Sequence, residues 1–250
     1  MNTNDYPTKL DRNNVLVKMT VLYDNYVYSP GTEAEWGFSC LIETGEKTIL
    51  FDTGGDADVL MHNIKELEVD ISEVDIIVIS HNHWDHTGGL VSVLESNTKA
   101  IVYILESFPQ EFISNIKEFD NEVILVNEPI ELCSGVNSTG NLSGPINEQS
   151  LIVQTRKGPV LITGCSHPGI VSIVEKAEKL SGKNVYLVFG GFHLMQLPDN
   201  AVDNIIDDFR NLGVQKCGAT HCTGDNQIKR FKDGYKEDYI EIGTGKVLEF

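Results

Sequence analysis

"VISHNHWDHTGGL", residues 78–90, places three of the chain's seven histidines and one aspartate within six positions. It follows directly on a continuous apolar run at residues 74–80, which is typical of a buried strand. Imidazole nitrogens and carboxylates are ligands that zinc, iron(II) and manganese(II) accept at about 2.0–2.2 Å. If the chain stays extended, the alternate residues His81, His83 and Asp85 can project to one side, while His86 starts the turn into the next helix. The segment therefore predicts half of a metal site.

The bulk composition narrows the class of protein and of partner. With 250 residues, 41% hydrophobic and 22% charged, the chain is long enough for one globular domain with a sizeable core. Its net charge of −18 argues against a nucleic-acid surface, because phosphate backbones are met by clustered Lys and Arg. A bound metal can invert the charge locally. We therefore expect an anionic small molecule as the partner and no nucleic acid.

The cysteine pattern and the polar N-terminus predict in which cellular compartment the protein lies. Five cysteines without a CxxC pair do not form the pattern of a disulfide framework. The polar N-terminus lacks the apolar run of a signal peptide, and no stretch approaches the roughly 20 apolar residues of a membrane span. We expect a cytoplasmic protein without membrane association, folded as one domain over residues 1–250 with a flexible tail at 1–14. A homo-oligomer is compatible with the sequence.

The hydrophobic pattern divides into two halves, each running from strands to helices. This arrangement predicts two β-sheets packed face to face with helices on the outer faces. The predicted strands are 15–23, 36–43, 48–51, 74–80, 150–154, 159–163, 185–191 and 216–224, the last running into a loop. The predicted helices are 59–69, 168–180 and 198–212.

Three motifs together resemble those of a known family. "HNHWDH" matches the HxHxDH motif of the metallo-β-lactamase superfamily, "LFDTGG" at 50–55 resembles its first motif and "ATHCTG" at 219–224 its last. The resemblance implies an α/β fold, the αββα four-layer sandwich with two mixed β-sheets flanked by helices. It also implies one metal on His81, His83 and a further histidine, and a second metal on Asp85, His86 and His221. The resemblance also implies that Asp52 orients the metal loop, the segment "HNHWDH", through a hydrogen bond.

"TGCSHPG", residues 163–169, departs from the family pattern. A metal-bridging aspartate is expected there, and Cys165 stands near its position. No histidine occurs between Thr87 and Gln154, so His167 is the candidate for the missing imidazole of the first metal. Cys165 is either a thiolate ligand or a small buried residue at a strand end. We expect one or two divalent ions, with zinc favoured over iron or manganese.

Other residues are candidates for catalysis and substrate binding. His193 in "GGFHL" follows a strand, and is either a substrate contact, general acid or ligand at the rim, or a core histidine. Asp85 and His193 are the catalytic candidates. The candidates for stacking on a substrate are Trp84, which could instead pack over the loop, and Phe192, and the candidate cations are Lys229 and Arg230.

The full set of motifs resembles one branch of the superfamily, the 7,8-dihydropterin-6-methyl-4-(β-D-ribofuranosyl)aminobenzene-5′-phosphate synthases. This resemblance implies condensation of a pterin-methyl diphosphate with an aminobenzene ribofuranosyl phosphate and loss of diphosphate. Metal-dependent hydrolysis of a phosphoester, lactone or other ester begins from the same site and is the alternative. A metal-dependent binding or sensor protein without turnover is the third reading.

Overall fold

The first sheet of the computed structural model, which describes residues 17–250, has seven strands. They are β1 (Lys18–Tyr23), β2 (Ser39–Glu43), β3 (Thr48–Phe51), β4 (Ile76–Val78), β5 (Ile101–Leu105), β6 (Val123–Val126) and β13 (Val247–Glu249). Their order is β13-β1-β2-β3-β4-β5-β6, antiparallel from β13 to β3 and parallel from β3 to β6. The predicted tail at 1–14 lies outside the described residues.

The second sheet has six strands and is also mixed. They are β7 (Ile130–Cys133), β8 (Val136–Ser138), β9 (Leu151–Thr155), β10 (Gly158–Thr163), β11 (Leu187–Gly191) and β12 (Lys216–Thr220). Their order is β12-β11-β10-β9-β8-β7, in which β10, β11 and β12 are parallel and the others antiparallel.

Helices cover the outer face of each sheet. They are α1 (Ala57–Glu66), α2 (Trp84–Thr87), α3 (Leu90–Ser96), α4 (Gln110–Ile116), α5 (Ile170–Ser181), α6 (Asp199–Asn211) and α7 (Asp225–Tyr235). Side chains alternate across β10, because Val160 and Ile162 pack in the core shared with the first sheet, whereas Leu161 packs with residues of α5, α6 and α7. The predicted four-layer sandwich of two mixed sheets is therefore confirmed.

Several predicted element boundaries are corrected. The helix predicted at 168–180 begins only at Ile170, since Gly169 has a φ of 96° that a helix cannot contain. The strand predicted at 36–43 begins at Ser39, and that at 74–80 is limited to Ile76–Val78. Within residues 17–250, no helix has both the length and the apolar character that a membrane crossing requires.

Candidate metal centre

The candidate side chains follow the carboxyl ends of parallel strands in both sheets. Asp52 comes directly after β3, Cys165 two residues after β10, His193 two residues after β11, and His221 directly after β12. His81 lies three residues past the end of β4. The carboxyl ends of parallel strands meet at one edge of a sheet, where side chains from loops distant in sequence can converge. The fold therefore gathers these residues at one rim of the sandwich.

The loop after β4 does not stay extended as far as Asp85, so the condition for a shared direction of His81, His83 and Asp85 is not met. Helix α2 begins after His83, whose carbonyl accepts hydrogen bonds from the N–H groups of His86 at 3.0 Å and Thr87 at 3.1 Å. Successive helical residues differ in direction by about 100°. Asp85 and His86 consequently leave the direction of His81 and His83 and meet residues of the second sheet.

The first cluster consists of the imidazoles of His81, His83 and His167. His83 Nδ1 lies 3.1 Å from His81 Nε2, and the His167 ring centre lies 4.8 Å and 4.9 Å from those of His81 and His83. Within residues 17–250, Nε2 of His167 is buried without a hydrogen-bond partner. Burial, together with the neighbouring His193 and His83, lowers the pKa of His167 to about 4, so its ring is neutral. A neutral, unpartnered ring nitrogen beside two imidazoles has the chemistry of a metal ligand.

The second cluster consists of Asp85, His86 and His221, with Cys165 beside them. Oδ2 of Asp85 lies 3.4 Å from His221 Nε2 and 3.8 Å from His86 Nε2. Cys165 Sγ lies 3.2 Å from His86 Nε2 and 3.4 Å from His221 Nε2. Burial alone would raise the pKa of Asp85, but the hydrogen bond from His221 and the charge on His86 hold it well below its usual range. The cluster thus offers an ionised carboxylate, two imidazoles and a thiol within 4.8 Å of one another.

The ring nitrogens that face away from the clusters are each held by a neighbouring side chain. The pairs are His81 Nδ1 with Ser80 Oγ at 2.9 Å, His86 Nδ1 with Asp52 Oδ2 at 2.7 Å, and His221 Nδ1 with Asn25 Oδ1 at 2.9 Å. Each of these rings therefore directs its Nε2 inward, as metal-binding histidines do when their outer nitrogen is anchored. Imidazoles with one carboxylate and one thiol form a donor set that suits Zn²⁺.

Asp52 joins the first motif to the metal loop. Its two carboxylate oxygens accept hydrogen bonds from the backbone N–H and the hydroxyl of Ser80, both at 2.7 Å. Burial alone would lower the pKa of His86, but the charge and hydrogen bond of Asp52 raise it to about 9. Asp52 therefore fixes both the loop backbone and the orientation of one imidazole.

Comparisons with known proteins agree with this geometry. The model of the metallo-beta-lactamase superfamily matches residues 37–112. The 7,8-dihydropterin-6-methyl-4-(beta-D-ribofuranosyl)-aminobenzene-5'-phosphate synthase of Methanocaldococcus jannaschii is 31% identical to this chain over 94% of its length and 97% of the relative's. The chain belongs to the metallo-β-lactamase superfamily.

Solved structures of the superfamily share the fold. The metal-dependent hydrolase Tm1679 superposes with a TM-score of 0.80 at 28% identity, over 94% of this chain and 99% of that one. YhfI from Bacillus subtilis superposes with a TM-score of 0.72 at 16% identity, over 95% and 100% of the two chains. The metallo-β-lactamase fold and the assignment as an enzyme, a transferase or hydrolase, are thereby confirmed.

Glu148 supports this superfamily site and was missed in the sequence. Its buried carboxylate accepts three backbone hydrogen bonds, each at 2.9 Å. The N–H groups of Cys165 and Ser166 donate to Oε1, and the N–H of His167 donates to Oε2. Burial raises its pKa to about 7, against the effect of these hydrogen bonds. Glu148 thus holds the loop that supplies two donors to the clusters. No motif surrounds it, and the only signal is a charged residue beside a predicted buried strand.

Two further contacts come from loops that carry no superfamily motif. Trp36 donates its indole Nε1–H to Oδ2 of Asp85 at 2.8 Å. Oδ1 of Asn25 accepts a hydrogen bond from the Nδ1–H of His221, although the two residues are far apart in sequence. Both contacts depend on the tertiary fold, since nothing in the sequence pairs Trp36 or Asn25 with the metal-binding residues.

His193 lies at the rim and contacts Cys222, for which the sequence predicted no role. The ring centre of His193 is 4.3 Å from that of His167, and its backbone has a φ of 54°. A hydrogen bond with Cys222 raises the pKa of His193, whereas burial lowers it less. Cys165, His193 and Cys222 form a third group whose donor atoms lie within 4.8 Å of one another.

The two predicted stacking residues differ in accessibility. Phe192 is only 1% exposed and packs its ring against those of Phe209 and Phe231 beneath α6 and α7. Its prediction as a substrate contact is therefore wrong, because the residue after β11 points into the core. Trp84 is 62% exposed and covers Gly55, where a Cβ would come within 2.5 Å of its ring.

The two predicted cations form ion pairs with acidic residues of α6 and α7. Lys229 forms an exposed ion pair with Asp233, one turn further along α7. Arg230 binds Asp199 and Asp203, which belong to α6. Their role as substrate contacts stays a prediction.

Proposed function

We propose that this enzyme condenses a pterin-methyl diphosphate with an aminobenzene ribofuranosyl phosphate, releasing diphosphate. The observation that carries the proposal is the 31% identity with the M. jannaschii synthase over 94% of the chain, together with the two donor clusters at the rim. The C–N bond forms between the pterin methyl carbon and the amine, and the C–O bond to diphosphate breaks. The amine proton is lost, and diphosphate leaves with the bonding electrons.

The residues divide into ligand, positioning and substrate-binding roles. We propose two zinc ions, one on His81, His83 and His167 and the other on Asp85, His86 and His221. Such ions neutralise and polarise the phosphate oxygens of an anionic substrate. Asp52, Asn25 and Glu148 hold the ligands in place through the hydrogen bonds described above.

Residues at the rim are suited to the organic part of the substrates. His193 is exposed beside His167, and we propose that its imidazole accepts the amine proton or returns it to the leaving oxygen. Asp85 is ionised and held by Trp36, so it keeps a fixed negative charge next to the reacting groups. The exposed face of Trp84 offers a surface on which an aromatic ring can stack.

Metal-dependent hydrolysis is the second candidate, because Tm1679 is described as a metal-dependent hydrolase and resembles this chain at a TM-score of 0.80. Its substrate would be a phosphoester, lactone or other ester. Either activity fits a cytoplasmic location, which we propose because all five cysteines are free. We also propose that the protein can form a homo-oligomer.

The test is an assay of the zinc-loaded protein with both condensation substrates, following product and diphosphate by mass spectrometry. We expect turnover that is lost on chelation and restored by zinc. The His81→Ala, His83→Ala double variant should lose activity, and activity in it would contradict metal catalysis. Release of diphosphate without the condensed product, or turnover of phosphodiesters or lactones alone, would instead identify the hydrolase.

A further inference from the structure

We propose that the thiolate of Cys165 is shared between the two metal positions and bridges the ions. This inference rests on the proposed two-ion centre. Cys165 then takes the place of a bridging carboxylate, with the same single negative charge.

The sulfur of Cys165 belongs to both ligand groups. Its Sγ lies 3.2 Å and 3.4 Å from the Nε2 atoms of His86 and His221 in the second cluster. The donor atoms of His81, Cys165 and His167 also lie within 4.8 Å of one another. A single atom that is near both sets of imidazoles is in the position of a bridging ligand.

The backbone fixes the sulfur in this position. The N–H of Cys165 donates to buried Glu148 at 2.9 Å. The preceding Gly164 packs against the metal loop so closely that a Cβ there would lie 2.3 Å from Ser80 Oγ and 3.1 Å from Asp52 Oδ2. The strand end that carries Cys165 is thus in direct contact with the strand end that carries the histidines.

The surroundings of Cys165 differ from those of the structural cysteines. Cys40 and Cys217 are fully buried and belong to the two apolar cores. Cys165 is only 3% exposed, yet in the described part of the chain it belongs to neither core. Its neighbours are imidazole nitrogens and a carboxylate, which a buried neutral thiol does not need and a metal-bound thiolate does.

Cys222 provides the competing arrangement. It is 4% exposed, lies outside both cores and contacts the carbonyl of Cys165 at 3.6 Å. Together with His193 it could hold an ion that uses Cys165 as a terminal ligand. In this arrangement Cys222 is a metal ligand, whereas in the bridge the only sulfur ligand is Cys165. An experiment that detects metal–sulfur bonds can therefore separate the two.

The experiment is ¹¹³Cd NMR of the cadmium-loaded full chain, with the number of bound ions measured by native mass spectrometry. Sulfur ligation shifts a cadmium resonance strongly downfield relative to nitrogen and oxygen ligands. We expect two ions per chain and two resonances that both carry the sulfur shift. One bound ion, a sulfur shift on only one resonance, or a sulfur shift on neither would overturn the bridge.

Variants identify the sulfur. In Cys165→Ser the sulfur shift should be lost from both resonances, and in Cys165→Asp two ions should remain bound without it, because a carboxylate can also bridge. Cys222→Ser should retain both shifts. Loss of a shift in Cys222→Ser would place a metal in the competing group and overturn the proposal. A sulfur shift on fewer than two resonances of the wild type overturns the bridge even if a variant fails to fold.

These outcomes are independent of the reaction. Two sulfur-shifted resonances in a protein without condensation activity would support the bridge and remove only the proposed function. Zinc-dependent condensation activity in a protein with no sulfur shift on cadmium would support the proposed function and overturn only the bridge.

Discussion

Replacing Asp52 by asparagine removes the charge that holds His86 while keeping the side chain's size. Oδ2 of Asp52 lies 2.7 Å from Nδ1 of His86, and both side chains are fully buried. In the metal-free protein, burial alone would lower the pKa of His86 below its ordinary 6.5, and Asp52 raises it to about 9. In Asp52→Asn only the weaker effects of Asp85 and Glu148 oppose burial, so we expect the pKa of His86 to fall well below 9.

The change is large enough to measure as stability. The difference between a pKa of about 9 in the folded state and 6.5 in the unfolded state corresponds to about 3 kcal/mol. Because the folded pKa is the higher one, this contribution is complete below pH 6.5 and is lost as the pH rises through about 9. We expect the free energy of unfolding of the metal-free wild type, measured in urea, to fall by about 3 kcal/mol over this interval, and that of Asp52→Asn to fall by clearly less.

The same substitution should weaken metal binding. An asparagine amide N–H that donates to His86 Nδ1 places the imidazole proton on Nε2, and this tautomer cannot ligate a metal. Loss of such an outer partner typically costs about 10–100-fold in metal affinity. We expect this loss in a zinc titration against a competing chelator.

Ser80→Ala is the matched control. It removes the hydroxyl that donates to Asp52 Oδ2 at 2.7 Å and leaves the carboxylate beside His86 in place. The pKa of His86, followed by NMR of the ring nitrogens, should stay near 9 in this variant. A His86 that still titrates near 9 in Asp52→Asn, with unchanged zinc affinity, would refute the reasoning.

Other substitutions test the remaining contacts. Glu148→Ala leaves three backbone N–H groups of the ligand loop without their acceptor, so zinc affinity in the same titration should fall about 10–100-fold. Phe192→Ala should lower the unfolding free energy by about 3–5 kcal/mol with KM unchanged in the folded fraction, because the ring packs in the core. Trp84→Ala should change the unfolding free energy by less than about 1 kcal/mol and raise KM, since the ring is exposed. Lys229→Ala with Arg230→Ala should leave calorimetric diphosphate binding to the zinc-loaded protein unchanged, and weaker binding would place these cations at the site.

The sequence was most informative where chemistry depends on local spacing. "HNHWDH" after an apolar run predicted both the fold and the convergence of His81 and His83, because a motif at a strand end needs no distant partner to be recognised. Strand periodicity did not give the direction of Asp85, whereas the superfamily resemblance grouped it with His86 and His221, which lie beside it. Periodicity assumes that the strand continues, whereas the chain turns into α2 one residue before Asp85.

Long-range contacts were beyond reach from the sequence. Glu148 accepts hydrogen bonds from backbone N–H groups, which every residue except proline has. The sequence therefore does not show which of these groups need a side-chain acceptor in the fold. Trp36 and Asn25 reach the ligands across 49 and 196 positions of the chain. Phe192 illustrates the opposite error, since adjacency to His193 does not show to which side of the chain a ring points.

The charges at the site bear on how an acidic chain could act on the anionic substrate proposed above. Without metal, the positive charge of His86 is met by the carboxylates of Asp52 and Asp85. Burial lowers the pKa values of the three imidazoles of the first cluster, so that these rings are neutral. Such a site has no net positive charge with which to attract phosphate. The two proposed divalent ions would supply that charge, and charges on the rest of the chain are screened beyond a Debye length of about 8 Å. Affinity for the substrate and metal loading should therefore rise and fall together.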